Sequence, residues 1–330
     1  MRVLYIAPLS ENQNHSSGYA SASDGILYVL RKMLHEGYIQ ELESISNVRD
    51  WQIPTDKYDI CIVNQNIRLL INNQNLFNKY CKVKERCNKI YFSFVWEADP
   101  YPKEFDKFFN SGLPDGILYP SEFVKNLLNK ENVPKFLYPH FIDSQKFSCI
   151  DIDRKLKDDI FTVLILGQNT SRKSHKESII SFCQEMSQEE DCRLIIKTNK
   201  LSNNEFSIQE KLTHILKCNT AENIKAKIYD ISDENLSFED MLKLYHSASV
   251  VLLPSKGEGF GLNLFEAMSC GIPCIYTPYH AWEDTTLNTE SNYPIFSIID
   301  SVTDMCMYGY DNKCTWFIPQ IESIKIKTIV

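Results

Sequence analysis

The chain has 330 residues, 43% of them hydrophobic and 24% charged, a globular balance with length for two domains that each bury a core. A formal net charge of -8 and a pI of about 5.5 argue against a general binder of nucleic-acid phosphates. There is no run of about 18 uncharged apolar residues, so no membrane span is expected.

The N-terminal MRVLYIAPLS lacks a signal peptide's apolar run and cleavage site and reads instead as a first buried strand. The eleven cysteines are odd in number, irregularly spaced and include no C-x-x-C pair, which suits free thiols in a reducing cytosol and offers no structural zinc site. A cytoplasmic location is expected, with peripheral membrane association left open.

In chain order, short apolar runs recur at Val3–Ala7, Tyr58–Val63, Ile90–Val95, Gly116–Tyr119, Phe161–Leu166, Cys192–Ile196, Lys227–Ile231, Val250–Leu253 and Ile272–Tyr276. They are mostly unalternating, as strands buried on both faces of a parallel sheet are. Between them lie helical patterns at Ser21–His35, Asn73–Arg86, Glu122–Asn129, Lys176–Met186, Ile208–Leu216, Phe238–His246 and Leu262–Ser269. Strand and helix in alternation predict doubly wound α/β units. The alternation pauses once, at the polar IDIDRKLKDD, which places an interdomain linker near residues 143–158. The domains are then 1–145 and 146–330, with ligand expected at the carboxyl ends of the strands.

The stretch VVLLPSKGEGFGLNLFEAMSCGIPCIYT, residues 250–277, carries the most chemistry. A buried strand ends at Pro254, a turn holds Gly257, Gly259 and Gly261, and a short helix follows, with Gly271 placed to end it. The backbone N–H groups of Phe260 and Gly261 at the helix start form a site for a diphosphate. Glu266, within the helix, is placed to accept hydrogen bonds from two ribose hydroxyls. Glu258, with seven residues separating it from Glu266, is placed to contact sugar hydroxyls.

This block resembles the E-x7-E signature of the retaining GT-B glycosyltransferases of family four. Pro254, Ser255, Glu258, Gly259, Phe260, Gly261, Leu262, Glu266, Ala267, Met268, Gly271 and Pro273 stand at matching positions. The resemblance implies a GT-B fold, two Rossmann-like doubly wound domains facing across a cleft. The first would bind the acceptor and the second a nucleotide-sugar donor such as a UDP- or GDP-sugar. It implies retention, transfer of a hexosyl-type sugar, and an acceptor hydroxyl on a glycan, a lipid or a protein glycan. No cofactor or metal is expected, since fixed cations replace the metal and no aspartate pair stands in an obvious metal-binding D-x-D motif.

A second block, LILGQNTSRKSHKESIISF, resembles the strand–glycine–basic–helix segment that opens the donor domain. Gly167 ends its strand, and Arg172 and Lys173 fall where the family clamps the diphosphate; fixed cations there stabilise the leaving charge. Arg172, Lys173 and Glu258 are therefore the expected catalytic residues. His175 is expected at the surface. Lys197, in RLIIKTNK, stands near the donor where relatives have a glycine-rich turn. Gly259, Phe260, Gly261, Leu262 and Glu266 complete the donor site, while Tyr245 is read as core.

The first half matches less well. Gly18, after the polar loop that holds His15, is the candidate for close backbone approach to substrate. Trp96 and Glu97 end a strand where relatives carry a histidine, and they are candidate sugar-pocket residues. Ser121 is a predicted helix N-cap, and His140 a candidate cleft residue. The C-terminal helix that crosses back in GT-B enzymes is expected to be short or missing. Two alternatives accompany the transferase reading: a non-catalytic nucleotide-sugar-binding protein and a GT-B-fold UDP-sugar epimerase.

Overall fold

The computed structural model describes residues 1–9, 18–48, 50–148, 159–199, 210, 213, 225–283, 292–295, 297–302 and 314–326. Loop 10–17 with His15, most of the linker and nearly all of the predicted helix Ile208–Leu216 lie outside them. The chain divides into two compact units, Met1–Ile142 and Asp143–Val330.

The first unit contains β1 (Arg2–Ala7), α1 (Gly18–His35), β2 (Glu41–Ser46), β3 (Tyr58–Val63), α2 (Ile67–Asn72), α3 (Gln74–Lys84), β4 (Cys87–Ser93), α4 (Asp106–Phe109), β5 (Gly116–Tyr119), α5 (Glu122–Leu127) and β6 (Lys135–Leu137). Its sheet has the order β2-β1-β3-β4-β5-β6, and every pairing is parallel. The strand order reverses between β1 and β3. Helix α1 buries Ala20, Ala22, Ile26, Leu27 and Leu30, and the last three pack on Val3, Tyr5 and Ala7 of β1. A Cβ on Gly25 of α1 would sit 2.5 Å from the Phe141 carbonyl oxygen, so this glycine is what lets the segment after β6 lie against the helix. Ser121 caps α5 as the sequence predicts, its Oγ accepting from the Val124 N–H.

The second unit contains α6 (Ser144–Phe147), β7 (Phe161–Gln168), α7 (His175–Met186), β8 (Cys192–Asn199), β9 (Lys227–Asp230), α8 (Phe238–Ser247), β10 (Val250–Leu253), α9 (Leu262–Ser269), β11 (Cys274–Tyr276), β12 (Asn292–Pro294), β13 (Ser297–Val302) and β14 (Cys314–Pro319). Six strands form a parallel sheet in the order β12-β11-β10-β7-β8-β9. The unalternating runs have a direct cause. Val163 and Ile165 of β7 and Val250 and Leu252 of β10 face one core, with Ile179, Phe182 and Leu194. Leu164 and Leu166 of β7 and Val251 and Leu253 of β10 face a second, with Leu264, Ala267 and Trp282. Both faces of the sheet are covered, so both sets must be apolar.

Helix α9 has the bounds the sequence predicts. Gly271, at φ +71, donates to the Met268 carbonyl at 2.9 Å and Ile272 to that of Ala267 at 3.0 Å, a Schellman ending. Strands β13 and β14 pair as an antiparallel hairpin. Beyond it, Ser181 Oγ donates to the Ile324 carbonyl at 2.9 Å, and the Ile326 N–H to Glu185 at 2.6 Å. Ile324 and Ile326 thus seat in the core beside α7, each contributing about 1.5–3 kcal/mol of apolar burial.

One expectation about a side chain is corrected. His175, expected at the surface, is 2% exposed, because it shares the inward face of α7 with Ile179, Phe182 and Met186.

Candidate functional site

In the second unit the strand order reverses between β7 and β10, and at such a switch point the loops leaving the two strands diverge and open a ligand site. Strand β7 holds Gly167, one residue before the strand ends, at a φ of +116 that no ordinary side chain adopts readily. A Cβ there would lie 3.6 Å from the aliphatic stem of Lys173, which runs across this glycine. Ser171–Lys173 form a 3-10 turn, and Ser174 follows in the left-handed region at φ 53. The β10 loop is stitched to this turn. Lys256 N–H donates to the Arg172 carbonyl at 2.8 Å, and the Arg172 guanidinium donates to the Gly257 carbonyl at 2.6 Å.

These hydrogen bonds bring three charges together. Glu258 Oε1 lies 2.5 Å from Lys173 Nζ and 3.1 Å from Arg172 Nη1, and the side chains are only 6%, 12% and 8% exposed. Burial pushes the Glu258 carboxyl up, but Arg172 and Lys173, with hydrogen bonds from Lys173 and Ser255, outweigh it and hold the group down at about 2. Removing the one anion from such a buried set leaves its two cations uncompensated, which costs about 3–5 kcal/mol.

Gly261 is the N-cap of α9 at φ +77. A Cβ there would fall 2.4 Å from Trp282 Nε1 and 2.5 Å from two ring carbons, so the buried indole occupies the space any side chain would need. One turn into the helix, Glu266 accepts a 2.7 Å hydrogen bond from Tyr245 OH. Burial raises the Glu266 pKa, against the lowering influences of Tyr245 and Lys173. The segment after β11 closes the other side. Ala281 N–H donates to the Glu258 carbonyl at 3.2 Å. His280, at φ 58, is buried, and burial brings its imidazole down to about 4. Phe317 of β14 stacks on Tyr279 at 4.0 Å and meets His280 edge-on at 4.8 Å, and its N–H donates to the Lys256 carbonyl at 2.9 Å. The terminal hairpin thus braces the loop that carries Glu258.

Of the residues singled out from the sequence, the structure gathers Gly167, Arg172, Lys173, Glu258, Gly259, Phe260, Gly261, Leu262 and Glu266 around this switch point. Lys197 pairs in register with Leu166, beside Gly167, but its ammonium donates to the Thr198 carbonyl at 3.1 Å. Burial lowers its pKa, while Glu234, Asp230 and Asp233 act to raise it. Tyr245 is core, as expected, but its hydroxyl also holds Glu266. Tyr279, His280, Trp282 and Phe317 were not legible as site residues. A non-glycine at positive φ is the feature that marks His280, and it is visible only in coordinates.

Of the first-unit candidates, Gly18 lies at a helix start and Trp96, Glu97 and His140 in the segments that follow β4 and β6. Gly18 opens α1, with nothing within 4 Å of where its Cβ would be. The next residue, Tyr19, has its phenol pushed up by burial and then by the charge of Glu97, in the segment that follows β4. Trp96 packs edge-on against Phe105 at 5.3 Å. His140 is held down at about 4 by burial. Among the described residues, no group of three or more His, Cys, Asp and Glu side chains is placed to hold a metal ion, and no helix is long and apolar enough to cross a membrane.

Solved structures resemble this arrangement. The sucrose-phosphate synthase of Thermosynechococcus elongatus superposes with a TM-score of 0.61 at 12% identity, covering 89% of this chain and 86% of its own. Anabaena HepE, in complex with UDP and glucose, gives 0.56 at 13% identity, covering 88% and 84%. The pneumococcal O-GlcNAc transferase GtfA, in complex with UDP and GlcNAc, gives 0.53 at 15% identity. This chain spans less than half of GtfA, 47% of its length against 76% of this chain. The fold is GT-B. Within this GT-B chain, residues 151–293 match the model of the glycosyl transferases, group 1, a span that holds Arg172, Lys173, Glu258 and Glu266. No curated protein sequence matches the chain.

Proposed function

We propose that this GT-B chain is a retaining, metal-independent glycosyltransferase that moves a hexosyl-type sugar from a nucleoside-diphosphate donor to an acceptor hydroxyl on a carbohydrate or glycan. The observation that carries this is the pair of buried cations, Arg172 and Lys173, fixed at the switch point beside the N-terminus of α9. A diphosphate seated there would meet two positive side chains and the amides of Phe260 and Gly261. When the bond between the anomeric carbon and the phosphate oxygen breaks, the leaving group gains negative charge, and preorganised cations stabilise that gain without a divalent metal. Glu266, held by Tyr245, would receive the ribose hydroxyls. The acceptor oxygen would attack from the face the diphosphate leaves, its proton passing to the departing phosphate oxygen. Gly18, Trp96, Glu97 and His140 of the first unit are assigned to the sugar and acceptor. The group 1 match and the UDP held by HepE and GtfA support a nucleotide-sugar donor, here taken to be a UDP- or GDP-sugar.

The test is to screen UDP- and GDP-sugars by thermal shift with EDTA present, then to follow product formation with the stabilising donor. A donor at about 100 times its dissociation constant stabilises the fold by roughly 2.7 kcal/mol. Proton NMR of the first product should show the donor's anomeric configuration kept. An inverted product would reject the retaining assignment. Loss of all activity in EDTA would reject metal independence.

A further inference from the structure

The three charges around Glu258 are placed to do more than bind. One carboxylate oxygen, Glu258 Oε1, serves both Lys173 and Arg172. The two cations are anchored differently. The Arg172 guanidinium is also tied to the Gly257 carbonyl at 2.6 Å, and its own carbonyl accepts from Lys256, so it belongs to the frame of the two loops. Lys173 reaches Glu258 at the end of a four-carbon stem lying over Gly167, where the missing side chain leaves a path for that stem to shift. An ammonium is a compact charge with three rotatable donors, while a guanidinium is a rigid fork. Within these three groups one anion faces two cations. A donor diphosphate brings two negative charges to the same place.

Resting on the proposed donor site, we propose that Glu258 is the internal counter-ion of that site, which a bound diphosphate displaces from Lys173. In the ligand-free protein Glu258 keeps both cations buried and oriented. When the diphosphate arrives, Lys173 swings to it, Arg172 stays with Gly257, and the carboxylate oxygen that Lys173 leaves becomes an acceptor for hydroxyls of the sugar being transferred. The sugar-binding face of Glu258 is therefore created by occupancy of the phosphate subsite, so the two halves of the donor are recognised in order. The low pKa of Glu258 keeps the group an anion through this exchange.

The expected signature is a split between binding and turnover. Glu258→Gln removes the competing anion while keeping the shape. Inorganic pyrophosphate and uridine diphosphate, titrated calorimetrically, should bind this variant about tenfold tighter than they bind the unaltered protein. Their affinity should also fall more steeply with salt. Turnover of the donor should drop at least a hundredfold, since no carboxylate is left to hold the sugar. The tightening should vanish in a Lys173→Met background. Equal or weaker pyrophosphate binding by a folded Glu258→Gln would overturn the counter-ion role and leave the donor site standing. Failure of the unaltered protein to bind pyrophosphate or any nucleoside diphosphate would overturn both. If Glu258→Gln does not fold, the Lys173→Met/Glu258→Gln pair decides: removing a cation with its counter-ion should restore the fold. A double variant no more stable than the single one would refute the pairing.

Discussion

Gly261→Ala tests how tightly the start of α9 is specified. The backbone there has φ +77, and placing an L residue in the left-handed region costs about 1–2 kcal/mol. The added methyl would also stand 2.4–2.5 Å from three atoms of Trp282, which is 1% exposed and packed in the second-unit core. Overpacking of that kind adds about 1–3 kcal/mol, for an expected loss of roughly 2–5 kcal/mol. Gly271→Ala separates the two contributions, because φ there is +71 but nothing lies within 4 Å of the new methyl. It should lose only the backbone cost, about 1–2 kcal/mol. The assay is urea unfolding read by tryptophan fluorescence in a Trp51→Phe/Trp96→Phe background, so that only Trp282 and Trp316 of the second unit report. Equal losses at the two glycines would mean that the indole moves aside freely, and the claim that Trp282 dictates glycine at position 261 would fail.

Glu266→Ala should weaken donor binding, since unpairing buried ribose hydroxyls costs about 1–3 kcal/mol; calorimetric titration with the preferred donor checks this, and an unchanged dissociation constant removes Glu266 from the site. The two glutamates should also give opposite pH dependence of stability. Glu258 is depressed from 4.5 to about 2, so its contribution is complete above the unfolded value and is lost as pH falls towards 2, roughly 3 kcal/mol at about 1.36 kcal/mol per unit. Glu266 is raised, so its contribution is present at low pH and lost as pH rises through its folded value. Stability curves of Glu258→Gln and Glu266→Gln should therefore depart from the parent curve on opposite sides, and departures of the same sign would contradict the assigned environments.

What the sequence shows most clearly is what burial on two faces imposes. Runs such as VVLL and VLIL have to be apolar throughout when cores lie on both sides, so β10 and β7 are legible without an alignment. Strand β2, ELESIS, sits at a sheet edge with no position fully buried, and β6 has three residues, two of them exposed. Such edge strands are constrained on fewer sides, and no apolar pattern marks them. The glutamates and the glycines of the β10 loop were legible because the turn and the helix start require particular residue types in a short span. The aromatic wall was not. Tyr279 and Phe317 are ordinary apolar residues in sequence, and only the return of β14 to the Lys256 carbonyl makes them neighbours.

The same reasoning separates the site's chemistry from its geometry. Arg172 and Gly257 are 85 positions apart, and neither loop contains the information that they touch. Their contact follows from the sheet order, in which the unit's first strand, β7, and its fourth, β10, lie side by side. Parallel strands joined by right-handed crossovers place both carboxyl ends on one edge, and the reversal of winding at this pair sends the two following helices to opposite faces. The two loops are left facing each other. A cation on one loop and a carboxylate on the other are then brought within bonding distance by topology alone. The basic turn and the acidic turn therefore form one site, and a change to either should be read as a change to both.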